Sequence, residues 1–312
     1  GLMIDCGECT QIALKQKGLS CKNIDYMLIT HTHEDHVLGL VGMLLLMENT
    51  GKRSPLTIVG PKGIKAAVQG MSIVAPAIPF EINYIELEGS EQKLKLGEFY
   101  VTAFEVEHSV TCYGYCIEIK RLPKFIVEKA EKHNIEMKYW RVLQNGNTVE
   151  VNGNIYTPDM VMGEERKGIK VTYCTDTRPV DAIVKNAKEA DLAILEGMYG
   201  DDSMKEAAIK KKHMTFTEAA EIAKKASVKE LWLTHYSPSL TNPLDYAEDV
   251  QKAKNAGTNK LEDVELEEPE LVMKQYPHEL SGGMRQRHLS GRMEHDAAEP
   301  SFRSVNVSRK DH

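Results

Sequence analysis

The stretch HTHEDH, residues 31–36, places three imidazoles and one aspartate within six positions. No packing requirement calls for that density of polar side chains between apolar neighbours. Residues 23–30 are rich in apolar side chains and predict a buried strand, and residues 37–47 predict a buried helix. The motif therefore lies on a strand-to-helix loop, which directs alternate side chains to opposite sides. We interpret it as part of a metal site.

A site for two metal ions needs more ligands than one loop supplies. His108, Asp176 and His235 each follow an apolar, strand-like run. Each alone has an ordinary explanation as a loop residue, but with the motif present they are better explained as ligands. Neutral imidazole and carboxylate suit zinc, with manganese or iron as alternatives. The predicted allocation is His31, His33 and His108 on one ion, Asp35, His36 and His235 on the other, and Asp176 bridging both.

Composition limits the class of protein. The chain has 312 residues, of which 42% are hydrophobic, as in an ordinary globular protein. Its longest apolar stretch, residues 37–47, is shorter than the roughly 20 residues that cross a bilayer, and its six cysteines follow no disulfide framework. We therefore expect no membrane association, free thiols and a cytoplasmic location. The net charge of −7 means that a polyanionic substrate would need a local basic surface.

The order of elements predicts an α/β fold. Early strands look hairpin-like, whereas later strands alternate with helices, which fits two sheets between outer helices. Residues 121–167 interrupt this pattern with a charged, helix-like stretch and a turn-rich hairpin, and we interpret them as an insertion. Basic side chains are concentrated at its beginning; a solvated helix face is the ordinary explanation for such a run. They are Lys120, Arg121, Lys124, Lys129, Lys132, Lys138 and Arg141.

With these motifs the chain resembles the ribonuclease Z family, tRNA 3′-end processing endonucleases of the metallo-β-lactamase superfamily. The likeness covers most of residues 1–254. Ile4-Asp5-Cys6-Gly7-Glu8 is similar to the first family motif, in which Asp5 would brace the metal loop from outside the ligand set. The resemblance implies a four-layer αββα sandwich over residues 1–256, with the insertion as a tRNA-binding arm. It also implies that the first strands of the fold are missing before Gly1.

The resemblance extends to a proton donor. His213-Met214-Thr215 resembles the second histidine motif of the family, and Glu196 matches the acid that pairs with this histidine. A ribose 3′-oxygen leaving as an alkoxide needs a proton in the transition state. We therefore expect His213 to donate it, Glu196 to hold the imidazole, and Asp35 to orient or deprotonate the attacking water. Without the resemblance, a surface histidine after three lysines explains His213 equally well.

The implied activity is that of a zinc-dependent endoribonuclease acting on precursor tRNA. It would remove the 3′ trailer and leave a 3′-hydroxyl on the tRNA and a 5′-phosphate on the trailer. Two zinc ions per subunit activate water and neutralise charge on the phosphate in such a reaction. The resemblance also implies a homodimer in which the arm of one subunit holds the tRNA cut by the other. The alternative is a general metallo-phosphodiesterase acting on cyclic nucleotides or small diesters.

The C-terminal part of the chain has a different character. Residues 257–312 are polar and without periodicity, and we expect a foreign or disordered tail. Within it, residues 276–287 (YPHELSGGMRQR) resemble the signature segment of ABC transporter ATPases of the peptide-import type. An ATPase is thus the alternative from another class. We reject it, and expect no ATP binding, because the sequence contains no Gly-x-x-x-x-Gly-Lys-Ser/Thr phosphate loop.

Overall fold

A computed structural model of the chain describes residues 1–75, 77–255 and 264–266. The strands are β1 (Leu2–Ile4), β2 (Tyr26–Leu28), β3 (Leu56–Pro61), β4 (Ile82–Leu87), β5 (Glu91–Leu96), β6 (Phe99–Val106), β7 (Cys112–Arg121), β8 (Val149–Val151), β9 (Asn154–Tyr156), β10 (Arg166–Cys174), β11 (Leu192–Glu196), β12 (Glu230–Thr234) and β13 (Val264–Leu266).

Helices connect most of these strands. The α-helices are α1 (Thr10–Gln16), α2 (Glu34–Val37), α3 (Leu40–Asn49), α4 (Ile64–Met71), α5 (Val127–Lys132), α6 (Met137–Gln144), α7 (Asp181–Ala187), α8 (Lys205–Lys211), α9 (Phe216–Lys225) and α10 (Ala247–Asn255). Short 3-10 helices occupy Ser72–Val74, Pro158–Met160, Asp202–Met204 and Pro243–Tyr246. Within the described ranges, no helix combines the length and the apolar character needed to cross a bilayer.

Two sheets form the centre of the fold. The smaller has the order β1-β2-β3-β4 and is parallel throughout, and the larger has the order β13-β12-β11-β10-β7-β6-β5. The helices that connect β1 to β4 provide the crossovers that parallel pairing requires. The expectation of early hairpin-like strands was wrong for β4, which pairs in parallel with β3. Hairpin pairing begins only with β5, β6 and β7.

Alternating side chains of the strands fill three layers of core. On β2, Leu28 packs between the sheets with Tyr115 of β7, while Met27 packs outward with Leu44 of α3. On β6, Ala103 lies between the sheets, and Phe104 faces the cluster formed with α7, α9 and α10. Helices therefore cover the outer face of each sheet. The four-layer αββα sandwich expected from the resemblance is confirmed.

The insertion leaves the larger sheet at the end of β7 and returns at β10. These strands are antiparallel, and Arg121 pairs with Arg166, so the insertion extends from what would otherwise be a hairpin turn. It has its own apolar cluster, which includes Ala130, Leu143 and Val161. We call residues 122–165 the arm.

The sheet also continues past residue 256, where the predicted domain ends. Strand β13, Val264–Leu266, pairs in parallel with β12 at the edge of the larger sheet. The ATPase-like segment, residues 276–287, lies outside the described residues, as does most of the predicted tail.

Candidate metal centre

The candidate site lies where strands of both sheets end. In the larger sheet β6, β10, β11 and β12 share one direction, because β7 is antiparallel to both β6 and β10. Their carboxyl ends meet at one edge, and the parallel strands β1 and β2 contribute their ends from the smaller sheet. The residues at or just after these ends are Asp5, His31 to His36, His108, Asp176, Glu196 and His235.

A glycine allows the loops after β1 and β2 to pack together. Gly39 donates its N–H to the carbonyl of Cys6 at 2.9 Å, and a Cβ built on Gly39 would lie 1.9 Å from the carbonyl oxygen of Gly7. In return, the N–H of Cys6 bonds the carbonyl of His36 at 2.8 Å. Any side chain at position 39 would push Asp5 and the HTHEDH loop apart.

Three predicted site residues have a left-handed backbone. The φ angle is 55° at Asp5, 50° at Asp176 and 59° at His235. Such a conformation costs a non-glycine residue roughly 1 kcal/mol or more unless its surroundings impose it, and it is concentrated at functional sites. Six other described non-glycine residues share this conformation, so the backbone supports a functional site here only together with the side-chain chemistry.

One cluster gathers three histidines and a carboxylate. His31 Nε2 lies 3.0 Å from His33 Nδ1 and 3.2 Å from Asp176 Oδ2. His108 Nε2 lies 3.3 Å from His33 Nδ1 and 3.8 Å from the same Asp176 oxygen. Donor atoms around an ion with bonds of roughly 2.0 to 2.1 Å stand about 3.0 to 3.5 Å apart. The cluster thus has the dimensions of a coordination sphere.

A second cluster lies on the other side of Asp176. His36 Nε2 and His235 Nε2 are each 3.6 Å from Asp35 Oδ2. Asp176 Oδ2 lies 3.4 Å from His36 Nε2, and Asp176 Oδ1 lies 3.0 Å from His235 Nε2. Asp176 therefore borders both clusters, and the structure brings all seven predicted ligands together.

Three of the histidine nitrogens that face away from the clusters have acceptors of their own, whereas His235 Nδ1 has no hydrogen-bond partner within the described residues. Carbonyl and carboxylate oxygens accept only, and the Thr30 hydroxyl also accepts here because it donates its one hydrogen to Asp5. The opposite nitrogen of each neutral ring is therefore left to point a lone pair into the cluster. The contacts are His36 Nδ1 to Asp5 Oδ2 at 2.8 Å, His108 Nδ1 to the carbonyl of Lys212 at 3.3 Å, and His31 Nδ1 to Thr30 Oγ1 at 3.0 Å.

The two inward-facing imidazole nitrogens of the second cluster lack hydrogen-bond partners within the described residues. The buried Nε2 atoms of His36 and His235 form no hydrogen bond, although carboxylate oxygens lie nearby. Lone pairs that converge at about 3 Å repel one another unless positive charge lies between them. The residues present therefore fit a bound cation at each cluster.

The pKa shifts of the site residues also indicate that the clusters bind positive charge. Burial lowers the pKa of His108 to about 4, which keeps this imidazole neutral near pH 7, as a ligand must be. Burial also opposes charge on His235, but Asp176 outweighs it and raises the pKa of His235 to about 10. Burial raises the pKa of Asp35, yet His235 and His36 outweigh it and lower that pKa to about 2. The buried carboxylates thus draw in positive charge, as protons or as metal ions.

His213 lies beside both clusters. Its Nδ1 is 3.1 Å from Oε2 of the fully buried Glu196, and its ring centre is 5.3 Å from that of His108 and 5.7 Å from that of His235. Burial raises the pKa of Glu196. Glu196 also accepts hydrogen bonds from the main-chain N–H groups of Thr177 and Met214. The carboxylate is thereby fixed, and it fixes the imidazole.

Sequence reasoning missed Arg178, which also holds this histidine. Its guanidinium donates to the carbonyl of His213 and forms a two-pronged ion pair with Glu218 at 2.9 and 2.5 Å. Glu218 and Thr215 form the capping box that begins α9. Arg178 therefore links His213 to the beginning of α9. In the sequence, the only signal for this role was the position of Arg178 two residues after Asp176.

Thr30 is a second missed residue. Its hydroxyl lies 2.9 Å from Asp5 Oδ2, and its N–H donates to Asp5 Oδ1 at 2.8 Å. It therefore links Asp5 to His31 as well, since His31 Nδ1 contacts the same hydroxyl. A threonine at the end of an apolar run, directly before the motif, was its only sequence signal.

A cavity of about 740 Å³ opens onto both clusters. His33, His108, Asp176 and His235 contribute to its wall together with His213. The remaining charged groups in the wall are of two kinds, namely the carboxylates of Glu8, Glu34 and Asp35 and the ammonium groups of Lys210, Lys211 and Lys212.

The basic residues predicted to bind RNA separate into two groups. A second cavity, of about 600 Å³, lies where the arm joins the larger sheet, and we call this region the arm root. It is lined by Lys120, Arg121, Lys124 and Arg141, together with Arg166. The other three are not among its lining residues in the described part of the chain. Lys129 donates to the carbonyl of Met162 at 2.8 Å, Lys138 pairs with Glu136 at 2.7 Å, and Lys132 is exposed.

Comparisons with known proteins cover most of the described chain. The family model described as "Anti-Pycsar protein Apyc1" matches residues 1–71, and that described as "Beta-lactamase superfamily domain" matches residues 156–236. A ribonuclease Z of Lachnospira eligens is 53% identical over 251 residues, which cover 80% of this chain and 83% of that protein.

Two solved structures are similar as well. The short form of human tRNase Z matches with a TM-score of 0.54 at 25% identity, over 75% of this chain and 80% of that one. The metallo-β-lactamase fold protein YhfI from Bacillus subtilis matches with a TM-score of 0.57 at 20% identity, over 86% and 83% of the two chains, which concerns the fold alone.

Proposed function

The chain belongs to the ribonuclease Z family, and from that premise we propose that it removes the 3′ trailer from precursor tRNA as an endoribonuclease. One observation carries the proposal. Seven ligand-type side chains from both sheets form two clusters that meet at one of them, Asp176, with the His213 and Glu196 pair directly beside them. A phosphodiester bound there would meet cations and a proton donor at once.

Family membership and the two clusters together imply use of a divalent metal. We propose two zinc ions per subunit, with manganese or iron as alternatives, because imidazole and carboxylate donors suit all three. When bound, the ions supply the Lewis acidity that activates water and offsets charge on the reacting phosphate. The proposed ligands are His31, His33 and His108 for one ion, Asp35, His36 and His235 for the other, and Asp176 for both.

The chain's own side chains supply the remaining chemistry. Asp35 lines the cavity and is ionised, so it can accept a hydrogen bond from the attacking water and orient it. On the leaving side, His213 donates a proton to the ribose 3′-oxygen as the bond to phosphorus breaks. Glu196 holds the His213 ring in place for this transfer, and Asp5 holds His36.

The arm supplies the basic surface that a chain of net charge −7 needs for RNA. Its root presents Lys120, Arg121, Lys124 and Arg141 on one cavity, and that cavity shares no lining residue with the metal centre. Contacts of this kind position a nucleic acid through its phosphates without reading sequence. We propose that the protein acts as a cytoplasmic homodimer in which the arm of one subunit holds the tRNA cleaved by the other.

Cleavage of a precursor tRNA by the metal-loaded full chain tests the proposal. We expect a single cut at the base of the trailer, with a 3′-hydroxyl on the tRNA and a 5′-phosphate on the trailer, identified by end labelling and mass spectrometry. A cyclic nucleotide assayed in parallel serves as the alternative substrate. Hydrolysis of the cyclic nucleotide with intact precursor tRNA would replace the proposal by the general phosphodiesterase.

A further inference from the structure

Three consecutive lysines end helix α8 and line the same cavity as the metal centre. Lys210 and Lys211 are exposed, and within the described residues neither forms an ion pair with a carboxylate. Two uncompensated positive charges therefore border a cavity whose other charged wall residues include Glu8 and Glu34. The assignment of the metal centre and of the proton donor uses none of the charge on these lysines.

The third lysine fixes the position of the other two. Lys212 has a left-handed backbone, with φ of 60°, and it ends α8. Its Nζ donates to the carbonyl of His108 at 3.1 Å, and its own carbonyl lies 3.3 Å from His108 Nδ1. These two reciprocal contacts fasten the end of α8 to the metal centre. A Glu107 oxygen lies 3.7 Å from Lys212 Nζ, so the charge of Lys212 is already engaged.

The same turn sets the lysines beside the proton donor. The chain passes directly from Lys212 into His213, whose N–H bonds the carbonyl of Ala208 at 2.9 Å. Lys210 and Lys211 are therefore held within one helical turn of His213 by main-chain hydrogen bonds. The carboxylates Glu8 and Glu34 come from other segments: Glu8 lies in the loop after β1, and Glu34 is the first residue of α2.

The direction of the RNA follows from the role of His213. It protonates the 3′-oxygen that leaves, and the nucleotides attached to that oxygen are those of the tRNA body. A polyanion is repelled by the carboxylates and attracted by the lysines. We infer that Lys210 and Lys211 form a phosphate-binding subsite for the RNA backbone on the 5′ side of the cleaved bond. This inference rests on the proposed function, and it assigns the lysines to the tRNA side rather than to the trailer.

The test removes both charges and maps the phosphate that they bind. The variant is Lys210→Ala with Lys211→Ala, and the matched control is Lys224→Ala with Lys225→Ala, which removes two exposed lysines from the last turn of α9. For the first we expect kcat/KM on precursor tRNA to fall roughly tenfold. The slope of log kcat/KM against log salt concentration should become shallower by about 1 for each phosphate that the protein no longer neutralises. The control should match the wild type in both.

A substrate with one neutral methylphosphonate locates the bound phosphate through a double-mutant cycle. Placed at the phosphate on the 5′ side of the cleaved bond, it should slow the wild type but cause no further loss in the lysine variant. At the first phosphate within the trailer, it should slow both proteins equally.

Two other outcomes would overturn the subsite, and they differ in what they imply for the proposed function. Full additivity at both phosphates, or coupling at the trailer phosphate, would overturn the subsite while wild-type cleavage of precursor tRNA leaves the proposed function standing. A wild-type protein that does not cleave precursor tRNA would overturn the proposed function and the subsite with it.

Discussion

The metal centre and the arm differ in how their charged side chains are held. In the metal centre His31 and Asp176 are buried, and each has several polar contacts fixed by strand ends of two sheets. The arm carries its charges on exposed side chains around a small core of its own, and Lys138, for example, contacts Glu136 and the ring of Tyr139, both on the same segment. Charged side chains thus have fixed geometry in the sandwich, whereas those of the insertion are exposed and can adapt.

The largest effect is expected where the two clusters meet. Asp176→Asn keeps the size of the side chain and tolerates the left-handed backbone, but it removes the negative charge that both clusters share. We expect loss of bound metal, measured by atomic emission, and cleavage of precursor tRNA below detection. Asp249→Asn, at an exposed position of α10, is the control. A variant that retains two ions and activity would remove Asp176 from the centre.

The second-largest effect is expected at His213, where a substitution separates proton donation from metal binding. His213→Ala should retain the metal content and lose roughly 10²- to 10⁴-fold in single-turnover cleavage, the usual contribution of a general acid. His133→Ala removes an exposed arm histidine and should leave the rate unchanged. Unchanged chemistry in metal-replete His213→Ala would show that the proton comes from elsewhere.

Replacing the arm tests the contrast between the two regions directly. Arg121 and Arg166 are paired neighbours on antiparallel strands, so residues 122–165 can be exchanged for an Asn-Gly turn that closes a β-hairpin. Because several phosphates of the tRNA would then have no cationic partner, kcat/KM on precursor tRNA should fall by roughly a hundredfold or more. Hydrolysis of bis(p-nitrophenyl) phosphate, which is too small to reach the arm, should fall much less. Equal losses on both substrates would assign the arm a structural role.

The smallest effect distinguishes basic residues within the arm. Lys124→Ala with Arg141→Ala removes two charges from the root cavity, whereas Lys132→Ala with Lys138→Ala removes two charges outside it. We expect the first pair to weaken precursor tRNA binding about tenfold and to lower its salt dependence, and the second to change it little. Filter binding at several salt concentrations measures both. The reverse order would move the RNA-binding surface away from the arm root.

More of the metal centre than of the arm could be predicted from the sequence. Candidate ligands such as His108 and His235 were predicted individually, because each follows an apolar strand run and strand ends meet at a sheet edge. Arg178 and Thr30 escaped detection, since they act on other residues through contacts that depend on the tertiary fold. The parallel pairing of β4 with β3 was missed because periodicity reports which face of a strand is buried and not the direction of its partner. In the arm, composition indicated a basic segment but not which cations share a cavity.

Anomalous X-ray diffraction from crystals of the zinc-loaded protein locates bound metal ions directly. We expect two peaks separated by about 3.5 to 4 Å, with Asp176 between them. One peak should lie against His31, His33 and His108, and the other against Asp35, His36 and His235. A single peak, or peaks away from Asp176, would contradict this expectation.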